Sequence, residues 1–208
     1  MQRIYRFINA NARRPRGLMG RFLGWLWAWE SRAINDKAIA LLDLESGDCL
    51  LEIGFGPGET IRRVLARYPG LRVIGIESSD LMLKLATARN EDAISDGRLS
   101  LRKGASGVVA ELGEVCTHAL LVHCLYFLDD LQQTCERLSG ALKSGGVLVI
   151  AAVVTDAEIP ARFMTPAYNF RSTAEILAAL ETAGMHAEVH QDEGGTHGAL
   201  RWFRATKP

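Results

Sequence analysis

Leu51-Glu52-Ile53-Gly54-Phe55-Gly56-Pro57-Gly58-Glu59-Thr60 is the stretch on which the reading of this chain turns. An apolar run, residues 49–53, leads into it, and residues 58–68 leave it with Ile61, Val64 and Leu65 at helical spacing. A strand, a glycine loop and a helix form the unit with which open α/β sheets build a ligand crevice. The glycines allow a sharp turn and let a ligand approach the backbone without Cβ collisions. The next apolar run, residues 72–77, ends in Glu77, nineteen residues after Gly58. A carboxylate there can accept both hydroxyls of a ribose lying across the strand ends, so a nucleotide-like ligand is expected. The dinucleotide fingerprint G-x-G-x-x-G is not matched: the glycines fall at 54, 56 and 58, and Glu59 takes the place of its last glycine. An acid is a poor neighbour for a pyrophosphate, which points to a ligand without phosphate.

Working outward, Ser79 to about Asn90 reads as a helix with Leu81, Leu85 and Ala88 as its apolar stripe. Residues 99–103 and 119–123 read as strands, and 129–142 as a helix stopped by Lys143-Ser144-Gly145-Gly146. Residues 147–154 are a valine-rich strand. Ser172-Thr173-Ala174-Glu175 is a capping box opening a helix that ends at Gly184. Residues 187–190 and 200–205 flank Gly194-Gly195 and read as two antiparallel strands. Alternating strands and helices predict an α/β fold, a parallel sheet covered on both faces and made mixed at one edge by the closing hairpin.

A length of 208 residues suits one core domain with a short appendage, and 48% apolar with 23% charged residues excludes disorder or coiled coil for the whole chain. Acids and bases number 24 each, which gives no global attraction to nucleic acid. Residues 1–33 nevertheless hold seven Arg against Glu30 alone, so the rest of the chain is acidic. Phe22 to Trp29 is too short to span a bilayer, Arg21 interrupts the apolar stretch, and no small-residue cleavage site follows. A cytoplasmic chain is expected. Cys49, Cys116, Cys124 and Cys135 show no C-x-x-C spacing and read as reduced, buried small hydrophobes.

Several segments together resemble the class I S-adenosylmethionine-dependent methyltransferases, nearest the small-molecule branch. Residues 52–58 are similar to that family's first motif, and Glu77-Ser78-Ser79-Asp80-Leu81-Met82 to its second. Residues 123–130, beginning His123-Cys124-Leu125-Tyr126, resemble the segment after its fourth strand, and residues 142–150 the glycine turn into its fifth. The resemblance covers about residues 36–207 and implies a Rossmann-like, doubly wound, seven-stranded mixed sheet with its last strand antiparallel. Residues 1–35 would be an N-terminal helical lid and 36–208 the cofactor-binding domain. The implied cofactor is S-adenosylmethionine, leaving as S-adenosylhomocysteine. The resemblance assigns to it Glu52, Gly54, Phe55, Gly56, Pro57, Gly58, Glu77, Ser78, Met82, Ala105, Ser106, His123 and Cys124. Among these, Glu52 would receive the methionine amino group, Glu77 the ribose hydroxyls, and Ser78 and Met82 would flank the adenine. Two departures stand out: Gly104-Ala105-Ser106 replaces a common Gly-Asp-Ala, and His118 stands where an acid commonly begins the fourth strand.

The implied reaction passes a methyl group to a small-molecule acceptor by in-line displacement. Alignment alone can lower such a barrier by roughly 7–11 kcal/mol, so a dedicated base is optional. His123 and Tyr126 are the catalytic candidates, and Trp25, Tyr126, Tyr168 and Arg171 the candidates for the acceptor pocket. His186, His190 and His197 lack supporting acids in pattern, and no metal is expected. Leu18, Phe22, Trp25 and Trp29 form a stripe at helical spacing whose expected burial is against the core or a second copy, in a monomer or homodimer. A phospholipid or lipid-quinone methyltransferase at the membrane surface is the competing enzyme reading, less favoured. A cofactor-binding relative that no longer methylates is the competing non-enzyme reading.

Overall fold

The computed structural model describes residues 29–128, 130–159, 168–191 and 198–208, together with 17, 20, 24 and 26. Its strands are β1 (Cys49–Ile53), β2 (Arg72–Glu77), β3 (Leu99–Lys103), β4 (Cys116–Val122), β5 (Leu142–Val153), β6 (His186–His190) and β7 (Leu200–Thr206). Its helices are α1 (Arg32–Leu42), α2 (Glu59–Arg67), α3 (Asp80–Arg89), α4 (Glu91–Ser95), α5 (Leu131–Ala141) and α6 (Thr173–Thr182), with 3-10 turns over Ser106–Glu111 and Leu125–Phe127. The strands form one sheet in the order β3-β2-β1-β4-β5-β7-β6. The pairs among β1 to β5 are parallel, and β7 runs antiparallel to both β5 and β6. This is the seven-stranded mixed sheet that the sequence predicts.

All five residues of β1 are buried, because side chains alternate between two covered faces. Leu51 and Ile53 join Leu121, Leu148 and Ile150 beneath α5 and α6. Leu50 joins Leu120, Val149 and Trp202 beneath α1, α2 and α3. Local chemistry sets the helix starts: Ser79 accepts from the Met82 N–H ahead of α3, and Ser172 with Glu175 closes a reciprocal capping box on α6.

Four differences from the sequence reading have physical causes. β4 begins at Cys116, which pairs with Leu142, and ends at Val122, because His123 turns into the left-handed region at φ 53°. α5 stops at Ala141, and β5 begins at once, carried through Gly145 at φ 76° and pinned by the Gly145 N–H donating to the Lys207 carbonyl. α4 is a short turn whose five residues carry little periodic signal. α1 has no side-chain cap at Ser31 to announce it. Tertiary contacts hold α1: Ile34, Ala38, Ile39 and Leu42 are buried, the Trp202 indole N–H donates to the Ile34 carbonyl (3.2 Å), and Arg204 Nε donates to the Leu41 carbonyl (3.1 Å).

Candidate functional site

Strand order reverses between β1 and β4, so the loops leaving their carboxyl ends diverge and open a crevice. The glycine loop forms one wall. A Cβ on Gly54 would lie 2.7 Å from Cys124 Cβ, and one on Gly58 would lie 2.7 Å from Ala86 Cβ. Those two positions are glycine because the exit of β4 and the body of α3 press against them. All three glycines hold left-handed backbone (φ 73°, 55° and 75°), but Gly56 differs in that a Cβ there would meet nothing within 4 Å. The loop is therefore packed at both ends and open in the middle.

Asn90, which the sequence reading did not single out, fastens the loop to α3. Its buried Nδ2 donates to the Gly58 carbonyl (3.2 Å) and to the Ala86 carbonyl (2.9 Å). Only the fold brings an asparagine at a helix end beside a turn 32 residues earlier. Glu59 accepts from Arg62 at 2.7 Å and lies 3.7 Å from Arg89, whose Nη1 also donates to the Pro57 carbonyl. These guanidinium groups hold its carboxyl below the usual range. The acid that argued against a pyrophosphate is thus turned toward arginines. Phe55 is buried, and its ring fills the space over Gly75, where a Cβ would meet it at 2.7 Å.

Two carboxyl groups line the crevice in contrasting states. Glu77, at the end of β2, accepts from the Gly56 N–H (3.1 Å) and the Ser79 N–H (2.8 Å). Burial pushes its carboxyl up, and those backbone donors oppose the shift. Glu52, on β1, is buried, and its Oε2 has no hydrogen-bond partner among the described residues. Loss of solvation, reinforced by the charge of Glu77, pushes its carboxyl up to about 8. A buried carboxyl oxygen without a donor fits an incoming ammonium, the open backbone at Gly56 leaves room for a ligand, and Glu77 is placed at the strand end for ribose hydroxyls. The residues present therefore fit S-adenosylmethionine.

Met82 is buried on α3, and a Cβ on Gly24 would come within 2.8 Å of Met82 Cε, so Gly24 sits against this side chain. Ser78 is half-buried, its hydroxyl 3.5 Å from Glu77 Oε1. Ala105 precedes the 3-10 turn, and the Thr134 hydroxyl lies 3.2 Å from the buried Ser106 hydroxyl, tying this loop to α5. Trp25 lies outside the described residues, as does His197.

The exit of β4 forms the opposite wall. The His123 N–H donates to the Ala151 carbonyl (2.9 Å), and His123 Nδ1 lies 2.9 Å from the Tyr126 hydroxyl. Burial holds the Tyr126 phenol far above its usual pKa, so it stays protonated, and in the tautomer with a proton on Nδ1 its oxygen accepts from the imidazole and leaves Nε2 with a lone pair. Tyr126 packs against Phe127, Tyr168 and Phe170 at ring-centroid distances of 5.0, 5.4 and 5.0 Å. The Asn169 N–H donates to the Tyr126 carbonyl (2.9 Å), which brings the segment before α6 onto the β4 exit. Sequence alone gave no reason to group Phe127 and Phe170 with the two tyrosines. Cys124 Sγ donates to the Ile53 carbonyl (3.2 Å), and burial pushes its thiol up.

Arg171 lies apart from these rings in its side-chain contacts. Its guanidinium is 4.0 Å from Glu175, and it lines a groove of about 480 Å³ with Asp130, Leu131, Gln132 and Ala178, between α5 and α6. His190 meets the exposed Glu188 at 3.2 Å, and the described residues hold no group of three His, Cys, Asp or Glu placed for a metal ion. Among the described residues, no helix is long and apolar enough to cross a membrane.

Residues 51–150 match a protein family described as a methyltransferase domain. An uncharacterized methyltransferase of Bacillus subtilis (strain 168), YdaC, is 27% identical over 135 residues, which is 65% of this chain and 72% of that protein. The crystal structure of a cyclase, SpnF, superimposes with a TM-score of 0.74 at 16% identity, over 88% of this chain and 82% of that one. Haemonchus contortus phosphoethanolamine N-methyltransferase 2, in complex with S-adenosyl-L-methionine, has a TM-score of 0.71 at 18% identity. That match takes in 85% of this chain and 52% of the other. At such identities the two structures speak to the fold alone.

Proposed function

We propose that this chain, whose residues 51–150 match a methyltransferase domain, is a class I S-adenosylmethionine-dependent methyltransferase that transfers a methyl group to a small-molecule acceptor held at the exit of β4. The observation that carries this reading is the pair of buried carboxyl groups under an open glycine loop, one clamped by backbone N–H donors and one lacking a donor. When bound, S-adenosylmethionine supplies a methyl group on a sulfonium with its leaving group in place.

The chain's own residues would bind and orient. Glu52 receives the ammonium group, Glu77 the ribose hydroxyls, and Gly54, Gly56 and Gly58 offer backbone at close range. Ser78 and Met82 flank the base, with Ala105, Ser106 and Cys124 completing the walls and Phe55 and Pro57 shaping the loop. The rings of Tyr126, Phe127, Tyr168 and Phe170 present aromatic surface to a planar or apolar acceptor. His123, with its Nδ1–H held by the Tyr126 oxygen, can accept at Nε2 the proton an O–H, N–H or S–H acceptor gives up. The lid expected of residues 1–35 would end ahead of α1, whose Ile34 is buried in the core, and the seat of Gly24 on Met82 supports it.

Calorimetric titration of stripped protein with S-adenosylmethionine and S-adenosylhomocysteine tests the reading. Micromolar binding of both is expected, followed by turnover on aromatic and heteroaromatic hydroxyls, amines or thiols. Absence of binding by either would overturn it. Tight binding with no turnover across that panel would favour a relative that no longer methylates.

A further inference from the structure

We propose that Glu52 is a neutral carboxylic acid in the empty protein and that the cofactor's ammonium group takes the place of its proton, so that cofactor binding releases a proton to solvent. The proposal rests on the cofactor assignment above and adds a charge balance to it. Glu52 sits on a central strand, with Gly75 of β2 and Leu120 of β4 as its register neighbours. Its side chain is buried, and Oε2 has no donor. An isolated buried carboxylate costs far more than a buried acid, so the group stays protonated when no cation is near.

The groups facing it reinforce that state. Glu77 bears on it from β2, and the Cys124 thiol, whose surroundings include both Glu52 and Glu77, stands at the exit of β4. A charge on Glu77 would repel one on Glu52, the neutral Cys124 thiol gives its proton to the Ile53 carbonyl rather than to Glu52, and no cation among the described residues offsets the repulsion. Of the two carboxyl groups, Glu77 is better able to keep its charge, because two backbone N–H donors are aimed at it. The balance is simple. The acid O–H bond of Glu52 breaks, the proton goes to water, and the carboxylate pairs with an ammonium that keeps its own proton. The upward shift already described for this carboxyl agrees with the geometry.

S-adenosylhomocysteine is the probe, since it lacks the sulfonium that would acidify its amine. Titration at pH 7 in buffers of different ionisation enthalpy should show close to one proton released per ligand. Affinity should rise about tenfold per pH unit below the titration of Glu52 and level off above it. Glu52→Gln should bind with no proton release and with no such slope. Binding by the natural protein without proton release would overturn the proposal while leaving the cofactor assignment intact. Infrared spectra of the ligand-free protein give a second readout independent of binding and of any variant's folding. A protonated-carboxyl stretch that disappears on alkaline titration supports the proposal, and its absence at neutral pH overturns it. No binding at all would sink the cofactor assignment, and the infrared band would still decide the state of Glu52.

Discussion

Strands β1 and β4 carry a polar cluster at each end, and the two clusters are built to opposite rules. At the carboxyl end, Glu52 keeps an oxygen without a donor, and His123 holds a left-handed backbone. At the amino end, the Cys49 N–H donates to Thr117 Oγ1 (2.9 Å), and the Thr117 hydroxyl donates to Asp48 (3.0 Å). His118 Nδ1 lies 2.9 Å from Thr117 Oγ1, and the Glu45 N–H donates to Asp48 Oδ2 (2.7 Å). Cys49 and Cys116 meet there as free, buried thiols 4.0 Å apart. A satisfied network holds the sheet together, whereas an unsatisfied group and a rare backbone conformation mark a place kept ready for a ligand.

Substitutions at the two ends should separate these roles. The largest effect belongs to the carboxyl end. Glu77→Ala removes the acceptor of the Gly56 and Ser79 N–H groups and the proposed ribose ligand, so cofactor affinity should fall at least a hundredfold by calorimetry while circular dichroism stays unchanged. Unaltered affinity would end the ribose assignment. At the amino end the pattern should invert. Thr117→Val keeps the shape but strips partners from Cys49, Asp48 and His118, costing about 1–3 kcal/mol in denaturant unfolding. Cofactor affinity should stay within about twofold; a large loss would mean that the two ends are coupled.

The smallest effect is a pH dependence. Burial lowers the pKa of His118 despite the nearby Asp48, so the folded chain resists a proton that the unfolded chain accepts at about pH 6.5. Stability should hold above that pH and fall as pH drops below it. His118→Gln should flatten that part of the stability curve by a fraction of a kcal/mol or more. An equal acid loss in the variant would place the proton elsewhere.

Much of the sheet could be read from the chain itself. β1, β2 and β3 fall on the residues that their apolar runs mark, and the capping box at Ser172 opens α6 where its pattern places it. α1 escaped, because its hold on the sheet comes from Trp202 and Arg204, more than 160 residues away. In the site, Glu77 and the three glycines were legible because a strand end, a turn and an acid announce themselves by spacing, whereas Glu52 was assigned only through the resemblance of its motif. Asn90, Phe127 and Phe170 were not, because their partners are distant in sequence. Trp25 lies outside the described residues, and Arg171 is found with Glu175 in the groove between α5 and α6.

By itself, the sequence determined the alternation of strands and helices, the glycine turn and the acid at the end of β2. Each of these follows from backbone freedom and side-chain period within a few residues. Only the tertiary structure decided that Glu52 would be buried without a donor, that Glu59 would turn to Arg62 and Arg89, and that His123 would meet Tyr126. Charge state and hydrogen-bond satisfaction depend on what crosses over from other strands and helices, and no local pattern encodes that.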